Sequence, residues 1–179
     1  MIYIFLAEGF EEIEALTPLD LLRRAGLPVT TVGVGGKVVT GSHGISVTAD
    51  ILDTELHDDK PDMVVLPGGM PGTLNLDASP VVHAAISAAV DTGAYLAAIC
   101  AAPSILGKRG LLSGKKAVCF PGFEDTLLGA VIAGDKVAVD GRTITAKGMG
   151  AAMDFGLQLV ACFKGDEAAS ALRHAVIAD

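Results

Sequence analysis

Ile2-Tyr3-Ile4-Phe5-Leu6-Ala7 opens the chain as one unbroken apolar run, and the segments strung after it set the architecture. A continuous run, rather than an alternating one, suits a central strand covered on both faces. Gly9 closes it, Glu11 to Ala25 carries a helical pattern up to Gly26, and Pro28 to Val34 forms a second strand ended by Gly35-Gly36. Strand, helix and strand in this order predict a right-handed parallel crossover.

The alternation continues downstream. Met63 to Leu66 reads as a buried strand ended by Pro67-Gly68-Gly69; Ser79-Pro80 opens a helix that runs to Thr92 before Gly93; Ala94 to Ile99 is the next buried strand. Lys116 to Phe120 is expected to be a further strand, and Gly44 to Ala49 a small one. Lys136 to Val139 and Arg142 to Ala146 make a hairpin around Asp140-Gly141. Gly150 to Phe163 reads as a long helix, and Asp166 is expected to cap a last one. The sum is an α/β chain with a doubly wound, mostly parallel sheet between helices and a small antiparallel hairpin.

With 179 residues, 51% of them hydrophobic, residues 1–179 are long enough for one domain with a full core. No apolar stretch reaches bilayer length, and Met1 to Leu6 has no basic segment ahead of it, so no membrane partner and a cytoplasmic location are expected. The net charge of −8, from 21 acidic and 13 basic residues without a basic cluster, argues against a nucleic-acid partner. Three cysteines without CxxC spacing indicate neither a disulfide framework nor a zinc site. Six acids between Asp50 and Asp62, with His57 among them, match no ligand spacing and read as a solvated connector.

Chemistry gathers in the loops beyond the carboxyl ends of parallel strands. Cys100 lies between the strand ending at Ile99 and a helix with Pro103 in its first turn. Free backbone N–H groups and the positive helix end favour a thiolate there, which makes Cys100 a candidate nucleophile; inert filling of core space is the competing reading. On the first helix, Glu14 shares a stripe with Pro18, Leu21 and Ala25, so it points as a core residue points and is expected to hold its proton. Pro18 is expected to bend the helix at the Glu14 carbonyl. Glu11 and Glu12 read as surface acids that complement the helix dipole, Glu12 lying on the wet side with Leu16, Leu19 and Arg23. Gly68-Gly69 offers N–H groups to an oxyanion, with an ordinary turn as the alternative. Gly148-Met149-Gly150 resembles an anion-binding entry, but Met153 breaks the GxGxxG pattern, so no dinucleotide is expected. Of the four histidines, His43 alone sits in a turn-rich loop suggestive of a site. Cys119 and Cys162 read as packing residues.

Ala7-Glu8-Gly9-Phe10-Glu11-Glu12-Ile13-Glu14, Val65-Leu66-Pro67-Gly68-Gly69, Ala98-Ile99-Cys100-Ala101-Ala102-Pro103 and Lys147-Gly148-Met149-Gly150 together resemble the DJ-1 branch of the DJ-1/PfpI superfamily from end to end. The resemblance implies a flavodoxin-like sandwich, a homodimer, an easily oxidised thiolate at Cys100, a partly protonated Glu14 bonded to it, and an oxyanion site formed by the N–H groups of Gly69 and Ala101. Phe120 precedes Pro121 where several relatives carry a histidine, so a Cys-His-acid triad is missing there. His43 stands where some relatives carry an arginine directed at the neighbouring subunit, which would make an anion contact pH-dependent.

These residues point to a cysteine-dependent enzyme acting on small reactive carbonyls, of the glyoxalase III or deglycase kind, without a metal or organic cofactor. A redox sensor or redox-regulated chaperone that works through oxidation of Cys100 uses the same residues. A PfpI-type peptidase or amidase is a third reading, and requires a histidine such as His43 to be recruited to the thiol.

Overall fold

Alternation within the apolar runs sends neighbouring side chains to opposite sides of a sheet, and each side becomes a separate core. The computed structural model describes residues 1–56 and 60–178. From the N-terminus, β1 (Ile2–Leu6), α1 (Glu12–Arg24) and β2 (Val29–Gly33) are followed by β3 (Val38–Thr40), β4 (Ser46–Thr48) and β5 (Ile51–Leu52). Next come β6 (Met63–Leu66), α2 (Gly72–Asp77), α3 (Pro80–Thr92), β7 (Tyr95–Ile99) and α4 (Pro103–Lys108). The rest holds β8 (Lys116–Ala117), β9 (Val131–Ile132), β10 (Val137–Asp140), β11 (Thr143–Ala146), α5 (Ala152–Lys164) and α6 (Asp166–Ala175).

The central sheet has seven strands in the order β10-β11-β7-β6-β1-β2-β5, parallel except for the antiparallel β10 at one edge. In register, Ile2 lies opposite Val29 on one side and Met63 on the other. Ile2, Ile4 and Leu6 then join Met63, Val65, Ala97 and Ile99 in the core beneath α1 and α5. Tyr3, Phe5 and Ala7 join Val64, Leu66, Leu96 and Ala98 in the opposite core, beneath α3 and α4. The predicted mixed α/β architecture, with its mainly parallel sheet between helices and a small antiparallel hairpin, is what forms.

The departures have local causes. Only Lys116–Ala117 of the expected 116–120 strand pairs, with β9 outside the main sheet. Beyond it, the Val118 N–H donates to Thr145 Oγ1 at 2.9 Å and the Phe120 N–H donates to the Cys100 carbonyl at 2.8 Å, so the chain satisfies itself on the neighbouring elbow instead of on a ladder. Gly165, not Asp166, is the cap of α6, and Asp166 is its first helical residue. Helix α5 starts at Ala152 after a short 3₁₀ turn over Met149–Ala151. Pro18, where a bend is expected, lies within α1, and the helix continues past it to Arg24.

The acidic stretch is more than a solvated connector. Asp50 Oδ2 accepts from the N–H and hydroxyl of Thr31 and from Arg23, each at 2.8 Å, which ties β2 and α1 to the start of β5. Burial raises the pKa of Asp50, but these donors outweigh it and hold the carboxyl below its ordinary value. Asp53 accepts from the Gly35 N–H and Glu55 from the Leu52 N–H. Asp62 holds the N-terminal ammonium. His57, Asp58 and Asp59 lie outside the described residues. Among the described residues, no helix is long and apolar enough to cross a membrane.

Helix α1 is pressed onto α5 at Gly156, where an added Cβ would stand 2.6 Å from Leu21 Cδ1 and 3.0 Å from Pro18 Cα. The missing side chain lets α1, and Glu14 with it, sit close to the sheet. Gly156→Val is expected to lower stability by about 1–3 kcal/mol through overpacking, measurable as a fall in the urea midpoint without a change in slope.

Candidate active site

Three strand ends converge at one edge of the sheet, and each contributes one part of a small constellation. After β7 the chain turns at Cys100, whose φ of 65° is a left-handed conformation that a non-glycine residue adopts at some cost. Two bonds hold it there: the Cys100 N–H donates to the Ala146 carbonyl at the end of β11 at 2.9 Å, and its carbonyl accepts from Phe120. The sulfur is thereby directed outward, toward α1.

After β6, Gly68 leaves space for two other residues to meet. A Cβ there would lie 2.6 Å from Cys100 Cβ and 2.6 Å from Glu14 Oε2. The Gly68 N–H donates to Glu14 Oε2 at 3.0 Å, and its carbonyl accepts from the Glu11 N–H, so the turn also fixes the start of α1. Gly69 is wedged with φ 90° against the Glu11 N–H and the Gly9 carbonyl. Glu14 is 1% exposed, as its apolar stripe predicts. It is hydrogen-bonded to the Cys100 thiol and to the backbone N–H groups of Gly68 and Met149, while the N–H groups of Gly69 and Ala101 point at the sulfur.

Burial sets the ionisation of this pair. Loss of water pushes Glu14 up to about 7. It also pushes Cys100 up to about 12, with the Glu14 charge as the next cause. The helix-start argument predicts a sulfur that ionises easily on its own, and that expectation is corrected here. The Gly69 and Ala101 donors are present, but α4 spans only the six residues Pro103–Lys108, and a carboxyl stands against the sulfur. The pocket therefore tolerates one negative charge shared by two groups and resists a second, so the protons belong to the pair.

Glu12 is not on the wet side. It is 3% exposed because the loop between β3 and β4 folds over it. Its carboxylate accepts from the His43 N–H at 2.9 Å and the Ile45 N–H at 3.4 Å. Burial acts to raise its pKa, yet the backbone and His43 donors bring it below the ordinary value. His43 is turned to the same acids, with Nδ1 3.1 Å from Glu12 and 3.4 Å from Glu11. Its bonding to Glu12, foremost, raises its pKa. Glu11, Glu12 and His43 bring ligand-type atoms within 4.8 Å of one another, and mutual hydrogen bonding to the loop accounts for that grouping. His43 makes these bonds rather than one to Cys100 of its own chain. His83 is likewise engaged elsewhere, with the Asp77 carbonyl and Arg109.

Two participants escape the sequence pattern. The Met149 N–H reaches Glu14, although Gly148-Met149-Gly150 already stands out as a turn at a helix entry. Phe120 stands beside Gly148, its ring 3.4 Å from where a Cβ would be. Cys119 is buried but outside any strand, and Cys162 is partly buried in α5.

Known relatives share this frame. The DJ-1/PfpI family profile matches residues 1–162, and the chain belongs to that family. It is 30% identical over 167 residues to "Glutathione-independent glyoxalase DJR-1.2" of Caenorhabditis elegans, covering 92% of this chain and 89% of that protein. It is 37% identical over 171 residues to Protein DJ-1 homolog B of Arabidopsis thaliana, covering 94% of this chain but only 39% of that longer protein. Oxidized DJ-1 of Toxoplasma gondii superposes with a TM-score of 0.94 at 32% identity, over 98% of this chain and 97% of the other.

Removal of the first proton from the pair is what should make the sulfur reactive. The rate of Cys100 alkylation by iodoacetamide is expected to rise with pH to a midpoint near 7, below the ordinary thiol value of about 8.5. Glu14→Gln should move that midpoint upward, because the shared ionisation is gone and the sulfur stays buried. A wild-type midpoint at or above the ordinary thiol value, unchanged in Glu14→Gln, would show that the two groups titrate apart. Gly68→Ala should weaken the coupling in the same assay by driving sulfur and carboxyl apart.

Proposed function

We propose that the protein is a cofactor-independent enzyme of the glyoxalase III or deglycase kind, in which Cys100 and Glu14 act together on small reactive carbonyls. The hydrogen bond between a thiol at a strained elbow and a buried carboxyl carries this reading, and the glyoxalase name borne by the Caenorhabditis elegans relative supports it. Reaction proceeds through the form in which the pair's single charge sits on sulfur and the proton on the carboxyl, reached by proton transfer from the Cys100 thiol to the Glu14 carboxylate.

The thiolate adds to the aldehyde carbon of a 2-oxo aldehyde, and the new C–S bond pushes the carbonyl electrons onto oxygen. The Gly69 and Ala101 N–H groups hold that oxyanion until Glu14 delivers its proton, giving a hemithioacetal. Glu14, now ionised, takes the C–H proton of the former aldehyde carbon, whose electron pair forms the C=C bond of an enediolate while the ketone π electrons move onto their oxygen. That oxygen takes the hydroxyl proton from the former aldehyde oxygen, which becomes the thioester carbonyl as Glu14 returns its own proton to the former ketone carbon. The result is a 2-hydroxy thioester, which water cleaves to a 2-hydroxy acid and free thiol. No electron leaves or enters, and no metal or cofactor takes part in these steps.

Ile13, which follows Glu12 in α1, and Ile45, whose N–H donates to Glu12, are 46% and 55% exposed. Apolar side chains of that size, beside the site, support the view that a second copy covers this face and the protein works as a homodimer. Its three unpaired cysteines suit the reducing cytoplasm.

Cys100→Ala is expected to abolish methylglyoxal turnover, and Glu14→Gln to reduce kcat by about 10²-fold or more. Turnover unchanged in Cys100→Ala defeats the proposal. A sensor role has one observation in its favour, the oxidized state of the Toxoplasma gondii structure. Mass spectrometry after mild peroxide treatment separates the two: selective oxidation of Cys100 in a protein that turns over no carbonyl supports the sensor.

A further inference from the structure

A cleft of about 490 Å³ lies across Gly148 from Glu14. Phe120, Pro121, Gly148 and Met149 form its walls, and Lys136 and Lys147 also line it. Gly148 is the shared wall, since a Cβ there would be 3.4 Å from the Phe120 ring and 3.8 Å from Glu14 Oε1. The main chain at Phe120 is tied to the elbow, its N–H bonded to the Cys100 carbonyl at 2.8 Å. Yet the Phe120 and Met149 side chains are 48% and 55% exposed, an arrangement that leaves a ring and a thioether in water beside a reactive group. Such surface is costly to leave wet and gains by being covered.

A group attached to the carbonyl under attack by Cys100 would extend along this wall. We propose that the cleft receives the substituent of the carbonyl substrate, and that Phe120 sets a preference for 2-oxo aldehydes bearing an uncharged aryl or branched alkyl group over those bearing methyl. The inference rests on the carbonyl chemistry proposed above. Three features define the substrate class. The apolar lining selects an apolar substituent, and the size admits a ring. The two lysines disfavour a cationic one; the Lys147 ammonium is held by the Gly134 carbonyl at 2.6 Å. The atoms balance as for the smaller substrate: an aryl 2-oxo aldehyde and water become an aryl 2-hydroxy acid.

Binding of the 2-hydroxy acid products tests the cleft without requiring turnover. Mandelate and lactate share their reacting end and differ only in the substituent. NMR titration of Cys100→Ala protein is expected to give a Kd for mandelate about tenfold or more below that for lactate. The double variant Cys100→Ala with Phe120→Ala should lose most of that ratio, and Phe120→Leu in the same background should keep part of it. Unchanged backbone spectra away from the cleft verify that the exposed ring can be removed without unfolding. Equal affinities for the two acids, or a ratio indifferent to Phe120, overturn the inference. Absence of Cys100-dependent turnover of both phenylglyoxal and methylglyoxal overturns the catalytic reading instead, and the binding ratio still decides the cleft. Where turnover is present, the kcat/KM ratio for phenylglyoxal over methylglyoxal should fall about tenfold in Phe120→Ala.

Discussion

The contact between the Glu14 carboxyl and the Cys100 sulfur is the constraint around which this edge of the molecule is built. Two ionisable groups that each prefer water are instead packed against the α-carbon of Gly68, with a peptide N–H bonded to one of them. Neither group can lose its proton without regard to the other, and the pocket holds one charge in place of two. Much of the surrounding architecture serves that distance. The carbonyl of Gly68 anchors the first residues of α1, the carbonyl of Ala146 anchors the elbow, and Gly156 lets α5 press α1 inward.

That arrangement demands a rigid frame, and the parallel sheet provides one. Each strand that ends near the site is buried on both faces, so its end cannot shift without disturbing two cores. The left-handed Cys100 keeps its strain, and the bonds on both sides of it hold it in position. The loop over Glu12 adds a second fixed point: a buried carboxylate gathers the N–H groups of His43 and Ile45, and an exposed hairpin loop becomes part of the wall around α1. Two nearby acids on one helix thus do opposite things. Glu12 is surrounded by donors and stays ionised; Glu14 is met by a thiol and holds its proton more tightly.

Much of this is legible in the chain, and the part that is not has a common cause. Helix α3 is readable at both ends because Ser79 caps it, Pro80 starts it and Gly93, with φ 66°, stops it; all three signals are local. The stripe on α1 places Glu14 correctly because the sheet lies beneath that face of the helix. The same reasoning misplaces Glu12, since helical periodicity describes which side faces the sheet and says nothing about a loop arriving from 31 residues away. The strand expected over Lys116 to Phe120 fails similarly: its apolar character is real, but its N–H groups find Thr145 and Cys100, partners that become neighbours only once the sheet has formed.

The layers, the positions of the strand ends and the identity of the residues placed there are properties of the chain alone, because apolar periodicity and the stop signals of glycine and proline act over a few residues and require no partner. Which donors meet which acceptors, how strongly each proton is held, and that an apolar cleft lies across Gly148 from Glu14 emerge only from the packed molecule. Those depend on distances of a few ångströms between segments far apart in the chain, and on how much water their packing excludes.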